Sequence, residues 1–424
     1  MTESELAQFA LRPDGGSTAL DKALSDAAAH VPYYRRALDG RPLPLEAWPI
    51  LTKAIIRANE SDLLAENQDR RFWFANFSGG STGQPLRVIQ DKRFKVWNWV
   101  TENYFYREFL GVDPHTTPRV TLWGSRHEVY GARRSWIKRL RLSLANSDVL
   151  NAYKMTAEDL ARFLECINRR KPEVIKGYTS SLYEMARYVR DGNRRVWHPK
   201  VIYSTAETLL PEVRRFIEEV FCAPVRQLYG SREVGAMAGE CPKGCFHVFS
   251  FMNHIEVVDM EGRPARPGTT GRILVTQVRN AAMPLVRYEI GDMAVVAEGT
   301  CPCGNPLPTV AGIEGRYSDY FVSPQGALVY GGYLRQVMFT TLWIREYQIT
   351  QTALDKLDIY FVCDTEPIPR DMADIEKRVR YAMGDSCRIE WHRVEEVPRT
   401  PHGKLLHTRS LVHPNPTELY RVKP

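Results

Sequence analysis

Three glycines and three hydroxyls stand within the stretch Phe77-Ser78-Gly79-Gly80-Ser81-Thr82-Gly83-Gln84-Pro85. Glycines let a backbone approach an anion and take positive φ, while amide N–H groups and small hydroxyls supply donors without bulk, so this stretch predicts a phosphate-binding loop. It is not a Walker A loop, because Gly83 is followed by Gln84-Pro85 and not by Lys-Ser/Thr. A second constellation is Cys241-Pro242-Lys243-Gly244-Cys245-Phe246-His247 together with Cys301-Pro302-Cys303-Gly304. Thiolates and an imidazole on two short knuckles are what tetrahedral Zn²⁺ takes, and the glycine after the second thiolate lets the chain return tightly. Cys241, Cys245, His247, Cys301 and Cys303 compete for four places. Four protein ligands leave no open position, so the expected metal is structural.

Four further motifs follow in order: Tyr229-Gly230-Ser231-Arg232-Glu233, Arg287-Tyr288-Glu289-Ile290-Gly291-Asp292, Gly315-Arg316-Tyr317-Ser318-Asp319 and Pro398-Arg399-Thr400-Pro401-His402-Gly403-Lys404. With the glycine-rich loop they make a pattern that resembles the adenylate-forming superfamily, in detail the branch of phenylacetate:CoA ligase, coenzyme F390 synthetase and capsule-associated ligases. The resemblance runs from about Phe72 to Lys404. It implies that Ser78, Gly79, Gly80, Ser81, Thr82 and Gly83 lie over the β- and γ-phosphates of ATP. Tyr229 and Gly230 would wall the adenine with Ala206 and Glu207 nearby, and Ser231 and Arg232 complete the nucleotide-binding set. Glu233 would hold Mg²⁺, an oxygen ligand for a hard cation. Asp292 would accept from the ribose hydroxyls, Arg316 would reach the ribose and phosphates, and Lys404 would stand between the carboxylate and the α-phosphate during adenylation. Lys404 and Glu233 are thus the expected catalytic residues. Members of the branch carry a Cys, a downstream His and a Cys-x-Cys, which assigns zinc to Cys241, His247, Cys301 and Cys303; whether Cys245 displaces His247 stays open. The chain departs from the superfamily at Gln84, where a lysine is frequent, at Arg232, where many members carry threonine, and at Ser318, the usual hinge aspartate.

These residues need elements to position them. Up to about Gln68 the chain reads as helical, with Ala19 to His30 preceded by Thr18 and a second helix capped by Thr52. Phe94, Trp97, Val100, Tyr104 and Phe105 recur near helical spacing, which predicts a helix over Phe94 to Phe109 with an aromatic core face. Arg119 to Gly124, Val174 to Ser181, Val201 to Glu207 and Arg226 to Gly230 each read as a short buried strand running into small polar residues, the last three as strand, loop and helix units. Ligands in open α/β sheets sit outside strand carboxyl ends, so Trp123, His127, Tyr130, Trp136, Tyr178 and Tyr203 are candidate substrate-pocket residues. From Phe246 to Val296 short alternating strands with Gly262, Pro264, Gly268 and Gly271 predict a β-rich region. The last segment mixes the strand Lys356 to Val362 with the helix Asp371 to Met383. The fold class is therefore α/β: a large N-terminal α/β domain (1–317) with a β-rich, zinc-bearing subdomain at about 240–312, and a small mobile C-terminal α+β domain (318–424) carrying Lys404.

Composition agrees with this. The 424 residues are 44% hydrophobic and 25% charged, which is globular and not disordered. A net charge of +7 suits an anionic ligand and is weak support for nucleic acid. No apolar run of membrane-spanning length and no signal-peptide pattern is seen, so the default setting is cytoplasmic and reducing. Eight cysteines there are thiols or metal ligands, with Cys166, Cys222, Cys363 and Cys387 expected in the core.

The expected activity is ATP-dependent activation of a carboxylic acid, by resemblance an aromatic one, as acyl-AMP, followed by transfer to CoA. An amide or ester synthetase acting on an amine or hydroxyl is the alternative, since one fold hosts many acceptors. A zinc-ribbon nucleic-acid binder is the rival from another class, but the knuckles hold one base, Lys243, and no aromatic-basic interleaving. Expected cofactors are ATP, Mg²⁺, structural Zn²⁺ and CoA; expected partners are a small-molecule acid and an acyl acceptor, without nucleic acid or membrane, and with a homodimer as the candidate assembly.

Overall fold

The computed structural model describes residues 15–41, 43–78, 86–123, 147–151, 155–316, 320–324, 328–339, 341, 343–397 and 405–412. Its contacts divide the chain into two compact units, Met1–Thr208 with Ile217–Ile313, and Leu209–Phe216 with Glu314–Pro424.

The first unit opens with helices α1 (Gly15–His30), α2 (Pro32–Leu38) and α3 (Lys53–Ala58). α1 starts before the expected Ala19, so Thr18 lies inside it and does not cap it. Thr52 does cap α3, its hydroxyl accepting from Ile55 N. A two-stranded ribbon, β1 (Phe74–Phe77) and β2 (Arg87–Gln90), flanks the glycine-rich stretch. α4 (Lys92–Glu108) follows, capped by Asp91, and buries Phe94, Trp97, Val100, Tyr104 and Phe105 along the face that the sequence marks as apolar.

An eleven-stranded sheet forms the body of the chain. Its parallel half runs in the order β4 (Ser147–Asn151), β3 (Arg119–Trp123), β5 (Val174–Tyr178), β6 (Val201–Thr205) and β7 (Val225–Ser231). Helices α5 (Ala157–Arg170), α6 (Thr179–Asp191) and α7 (Pro211–Phe221) alternate with these strands. α5 carries a full capping box between Thr156 and Asp159, which satisfies two donors at its start. The expected strand, loop and helix unit at Arg226–Gly230 is corrected here: β7 folds back antiparallel onto β8 (Gly235–Glu240). The reason is the tight turn between them, closed by Gly235 at φ 74°, where an added Cβ would stand 2.4 Å from Asn98 Oδ1. β9 (Phe246–Val248), β10 (Asn253–Val258), β11 (Thr270–Gln277), β12 (Tyr288–Val296) and β13 (Thr309–Arg316) complete the β-rich half, as the turn-marked alternation predicts.

The second unit has a hairpin of β14 (Tyr320–Val322) and β15 (Leu328–Tyr330), helix α8 (Gly331–Phe339), and a four-stranded sheet with α9 (Pro369–Met383). The sheet order is β18 (Arg388–Arg393), β17 (Lys356–Cys363), β16 (Ile344–Ala353) and β19 (Thr408–Ser410). Its core gathers Phe321, Leu334, Ile349, Leu357, Ile359, Val379 and Met383. Cys166, Cys363 and Cys387 are buried, but Cys222 is exposed. The last corrects the expectation of a core thiol: Cys222 takes a left-handed turn at φ 48° directly after α7, which leaves the side chain outside.

Candidate nucleotide and zinc sites

Glu233 sits in the turn between β7 and β8 and is 3% exposed. Three side-chain amides hold that turn. Gln90 Nε2 donates to the carbonyls of Arg232 (2.8 Å) and Glu233 (2.9 Å), Gln277 Nε2 donates to Glu233 O (3.0 Å), and Asn76 Nδ2 donates to Arg232 O (3.0 Å). Asn76 lies on β1 and Gln90 on β2, the two strands that bracket the glycine-rich stretch, so the chain on both sides of that stretch is tied to the turn bearing Glu233. Ser78 closes the ribbon: its N–H donates to Leu86 O and its Oγ accepts from Leu86 N, both at 2.8 Å.

β12 brings two groups to this region. The Tyr288 hydroxyl donates to Glu233 Oε1 at 3.4 Å, and Asp292 Oδ2 accepts from the Tyr229 hydroxyl at 2.7 Å. The β11–β12 register shifts between Arg272 and Leu274, and Gly291 stands at φ 93° in the bulge. A bulge re-aims the next side chain, here Asp292, and glycine is the residue that takes this φ without strain. Ser231 Oγ accepts from Val234 N at 3.3 Å, and Gly230 packs so that an added Cβ would lie 2.8 Å from Gly235 O. Glu233, Tyr229, Gly230, Ser231, Arg232 and Asp292 are thereby assembled by β7, its turn and β12.

Glu207 lies one element away. Its carboxylate accepts from Ser180 N (2.7 Å) and Ser180 Oγ (3.1 Å) at the start of α6, where a negative charge complements the helix N-terminus. Ala206 before it holds φ 70°. Trp123 and Tyr178 meet with ring centroids 4.6 Å apart, and Tyr203 is buried against Phe105 and Tyr106 of α4. Gly79, Gly80, Ser81, Thr82, Gly83, His127, Tyr130, Trp136 and Lys404 lie outside the described residues, and of Arg316 only its place at the end of β13 is described.

The cysteine knuckles converge. One ligand atom each from Cys241, His247, Cys301 and Cys303 lies within 4.8 Å of all the others. Cys241 Sγ is 3.6 Å from Cys301 Sγ, and Cys303 Sγ is 3.2 Å from His247 Nε2. His247 Nδ1 faces Leu307 O at 3.2 Å, which favours a proton there and leaves Nε2 a lone pair toward the thiols. Burial pulls the imidazole's pKa below its usual value, although the Leu307 carbonyl opposes this, so the neutral ligating form is favoured. Lys243 N donates to Cys241 Sγ (3.4 Å) and Asn305 N to Cys303 Sγ (3.5 Å). Burial pushes the Cys303 thiol up, but the Asn305 N–H and the thiols of Cys301 and Cys241 outweigh it and hold the group below its ordinary value. Gly244 (φ 86°) and Gly304 (φ 80°) make the two returns. Three sulfurs and one imidazole, with backbone N–H groups on two of the sulfurs, are a donor set that fits Zn²⁺. α4 covers the cluster: the Phe109 ring lies 5.4 Å from His247, and Tyr104 Oη accepts from Asn305 Nδ2 at 2.6 Å.

Sequence reading passes over Asn76, Gln90, Gln277 and Tyr288, because single polar residues inside apolar strands carry no local signal of a long-range bond. Lys176 is also passed over, although a lysine inside the run Val174-Ile175-Lys176-Gly177-Tyr178 is an anomaly visible in the sequence.

A family model described as AMP-binding enzyme matches residues 38–283, and one described as CapK C-terminal domain matches residues 321–410. The chain is 26% identical to Protein CapK of Staphylococcus aureus over 364 residues, covering 84% of this chain and 78% of that protein. It is 26% identical to phenylacetate-coenzyme A ligase of Thermus thermophilus over 229 residues, covering 47% of this chain and 51% of that one. Among solved structures, 2-hydroxyisobutyryl-CoA ligase in the postadenylation state with R3-HIB-AMP superposes with a TM-score of 0.73 at 18% identity, covering 94% of this chain and 89% of that one.

Proposed function

The chain belongs to the AMP-binding enzyme family, and on that premise we propose that this adenylate-forming ligase activates an aromatic carboxylic acid as acyl-AMP and passes the acyl group to CoA. The observation that carries the reading is the meeting of Tyr229, Glu233 and Asp292 around one turn, with the strands that bracket the glycine-rich stretch bonded to the same turn. In this reading Asp292, its plane fixed by Tyr229, accepts from the ribose hydroxyls, and Tyr229 and Gly230 line the adenine. Ser78 to Gly83 give N–H and hydroxyl donors to the β- and γ-phosphates. Mg²⁺, when bound through Glu233, supplies positive charge to the phosphate oxygens. Lys404 neutralises charge as the acid's oxygen attacks phosphorus and pyrophosphate leaves.

Cys241, His247, Cys301 and Cys303 would hold a structural Zn²⁺ that pins the two knuckles together. All eight cysteines are free, which suits a reducing compartment such as the cytoplasm. Among the described residues no helix is long and apolar enough to cross a membrane.

The test is acid-dependent pyrophosphate exchange over a panel of carboxylic acids, followed by offering the preformed acyl-AMP to CoA, an aromatic amine or an alcohol. Exchange with an aromatic acid and thioester formation support the reading. Exchange followed by transfer only to the amine or alcohol would make the chain an amide or ester synthetase, and no exchange with any acid would overturn adenylation.

A further inference from the structure

Lys176 is a cation on the central strand of the parallel sheet, where its neighbours Val174, Ile175 and Tyr178 are buried. Register sets it beside Thr121 on β3 and Tyr203 on β6. Its Nζ lies 4.4 Å from the centre of the Tyr203 ring and 5.7 Å from that of Trp123. Trp123 ends β3 and Tyr178 ends β5, and the two rings are packed together. Strand order reverses at this place. β4 is added on the outer side of β3, whereas β6 and β7 continue from β5. Ligands of open α/β sheets settle outside the carboxyl ends of strands at such a switch point.

The ammonium forms no ion pair among the described residues. Burial by itself would lower its pKa, but the Tyr203 phenol and the Glu102 carboxylate on α4 outweigh that and raise it, so it is charged at neutral pH. The Tyr203 side chain takes one of its hydrogen bonds, the aromatic faces attract the cation without accepting the other two, and Lys176 itself is only half-buried, so those donors are open to an acceptor from a ligand. Side chains two positions apart on a strand are about 7 Å apart along it. Lys176 therefore lies about one aromatic ring deeper along β5 than Tyr178, beside the Trp123 and Tyr203 rings.

We propose that Lys176 determines the specificity of the acid pocket by binding an oxygen substituent, hydroxyl or carboxylate, at the end of the acid opposite the carboxyl group that is activated. This rests on the adenylation reading above. The preferred acid is then a ring bearing a second oxygen function, and the unsubstituted ring is the poorer substrate because it leaves unanswered the ammonium donors that Tyr203 does not engage.

The experiment is pyrophosphate exchange with benzoate, 4-hydroxybenzoate and terephthalate, and with the corresponding phenylacetates, on the full-length enzyme and on Lys176→Met and Lys176→Gln. The wild type should favour one oxygen-bearing acid over its parent by about 10- to 100-fold in kcat/KM, the range of a charge-assisted hydrogen bond. Lys176→Met should bring that ratio close to one. Lys176→Gln keeps a donor without charge, so it should lose a preference for the carboxylate while retaining part of a preference for the hydroxyl. Melting temperature and ATP binding of the variants report folding, and whichever variant folds supplies the ratio. The proposal is overturned if the wild type shows no preference for an oxygenated acid, if the ratio survives substitution, or if all acids lose activity equally. Exchange without preference would leave adenylation standing, whereas absence of exchange with every acid would remove both.

Discussion

The Tyr229 hydroxyl donates to Oδ2 of Asp292 at 2.7 Å and so links β7 to the bulged start of β12. On the proposed reading, that bond orients the carboxylate for a bidentate task, acceptance from two ribose hydroxyls. Asp292→Ala should weaken ATP binding by about 10- to 100-fold, the value of hydrogen bonds to a charged acceptor, with little change in acid binding. Tyr229→Phe should give a smaller loss, because it frees the carboxylate without removing it. Apparent affinities for ATP and acid in the exchange assay check both, and an unchanged ATP affinity in Asp292→Ala would show that the ribose is held elsewhere.

Arg287 belongs to the same motif but does different work. It is 3% exposed, stands at φ 49°, pairs with Glu256 at 3.1 Å, and donates to the carbonyls of Glu46 (2.7 Å) and Trp48 (3.0 Å). Removing one partner of a buried pair costs about 3–5 kcal/mol. Arg287→Met should therefore lower the stability of the first unit by that order in urea unfolding, while the folded fraction keeps its affinity for ATP. Unaltered unfolding would place Arg287 outside the structural core of the motif.

Zinc should co-purify with the chain at about one ion per molecule. A site of this kind contributes on the order of 10 kcal/mol of binding free energy, which is also folding free energy. Cys303→Ser should thus release metal and lower the melting temperature of the β-rich region, with the loss shared by acid activation and acyl transfer and not confined to one. Metal analysis of freshly purified protein that finds no zinc would remove this prediction.

Local rules carried much of the fold. Thr52 caps its helix, the aromatic stripe of α4 is buried, and the β-branched runs at Val174 and Val201 are parallel strands ending in small polar residues. What the sequence did not disclose depends on contacts between distant segments. The β7–β8 hairpin is decided by Gly235 against Asn98 of α4, and the turn at Glu233 is fixed by amides 142 and 156 residues away. The knuckles alone name five candidate ligands, and the fold brings together the four that the resemblance assigned, Cys241, His247, Cys301 and Cys303, with ligand atoms within 4.8 Å of one another. Lys176 shows the reverse case, a residue that breaks an apolar pattern and whose surroundings give that break a chemical sense.

Lys404→Ala should separate the two half-reactions. The residues on either side of its motif are anchored on the small sheet: Val397 and Leu405 pack with Val362, Gln348 Nε2 donates to Leu406 O at 2.9 Å, and Ile349 N donates to His407 O at 2.8 Å. On the proposed reading the small domain supplies this lysine for adenylation and withdraws it for acyl transfer. On that reading its charge is needed only while the carboxylate attacks phosphorus and negative charge builds on the transferring group, a stabilisation typically worth about 10²–10³ in rate. Pyrophosphate exchange from acid and ATP should fall by that factor in the variant. A chemically prepared acyl-AMP should still be consumed at close to the wild-type rate with the acceptor, because that step no longer uses Lys404. Normal exchange in Lys404→Ala would mean that the motif from Pro398 to Lys404 is only a turn, and equal loss in both steps would mean that it holds the small domain together and does not act on the phosphate.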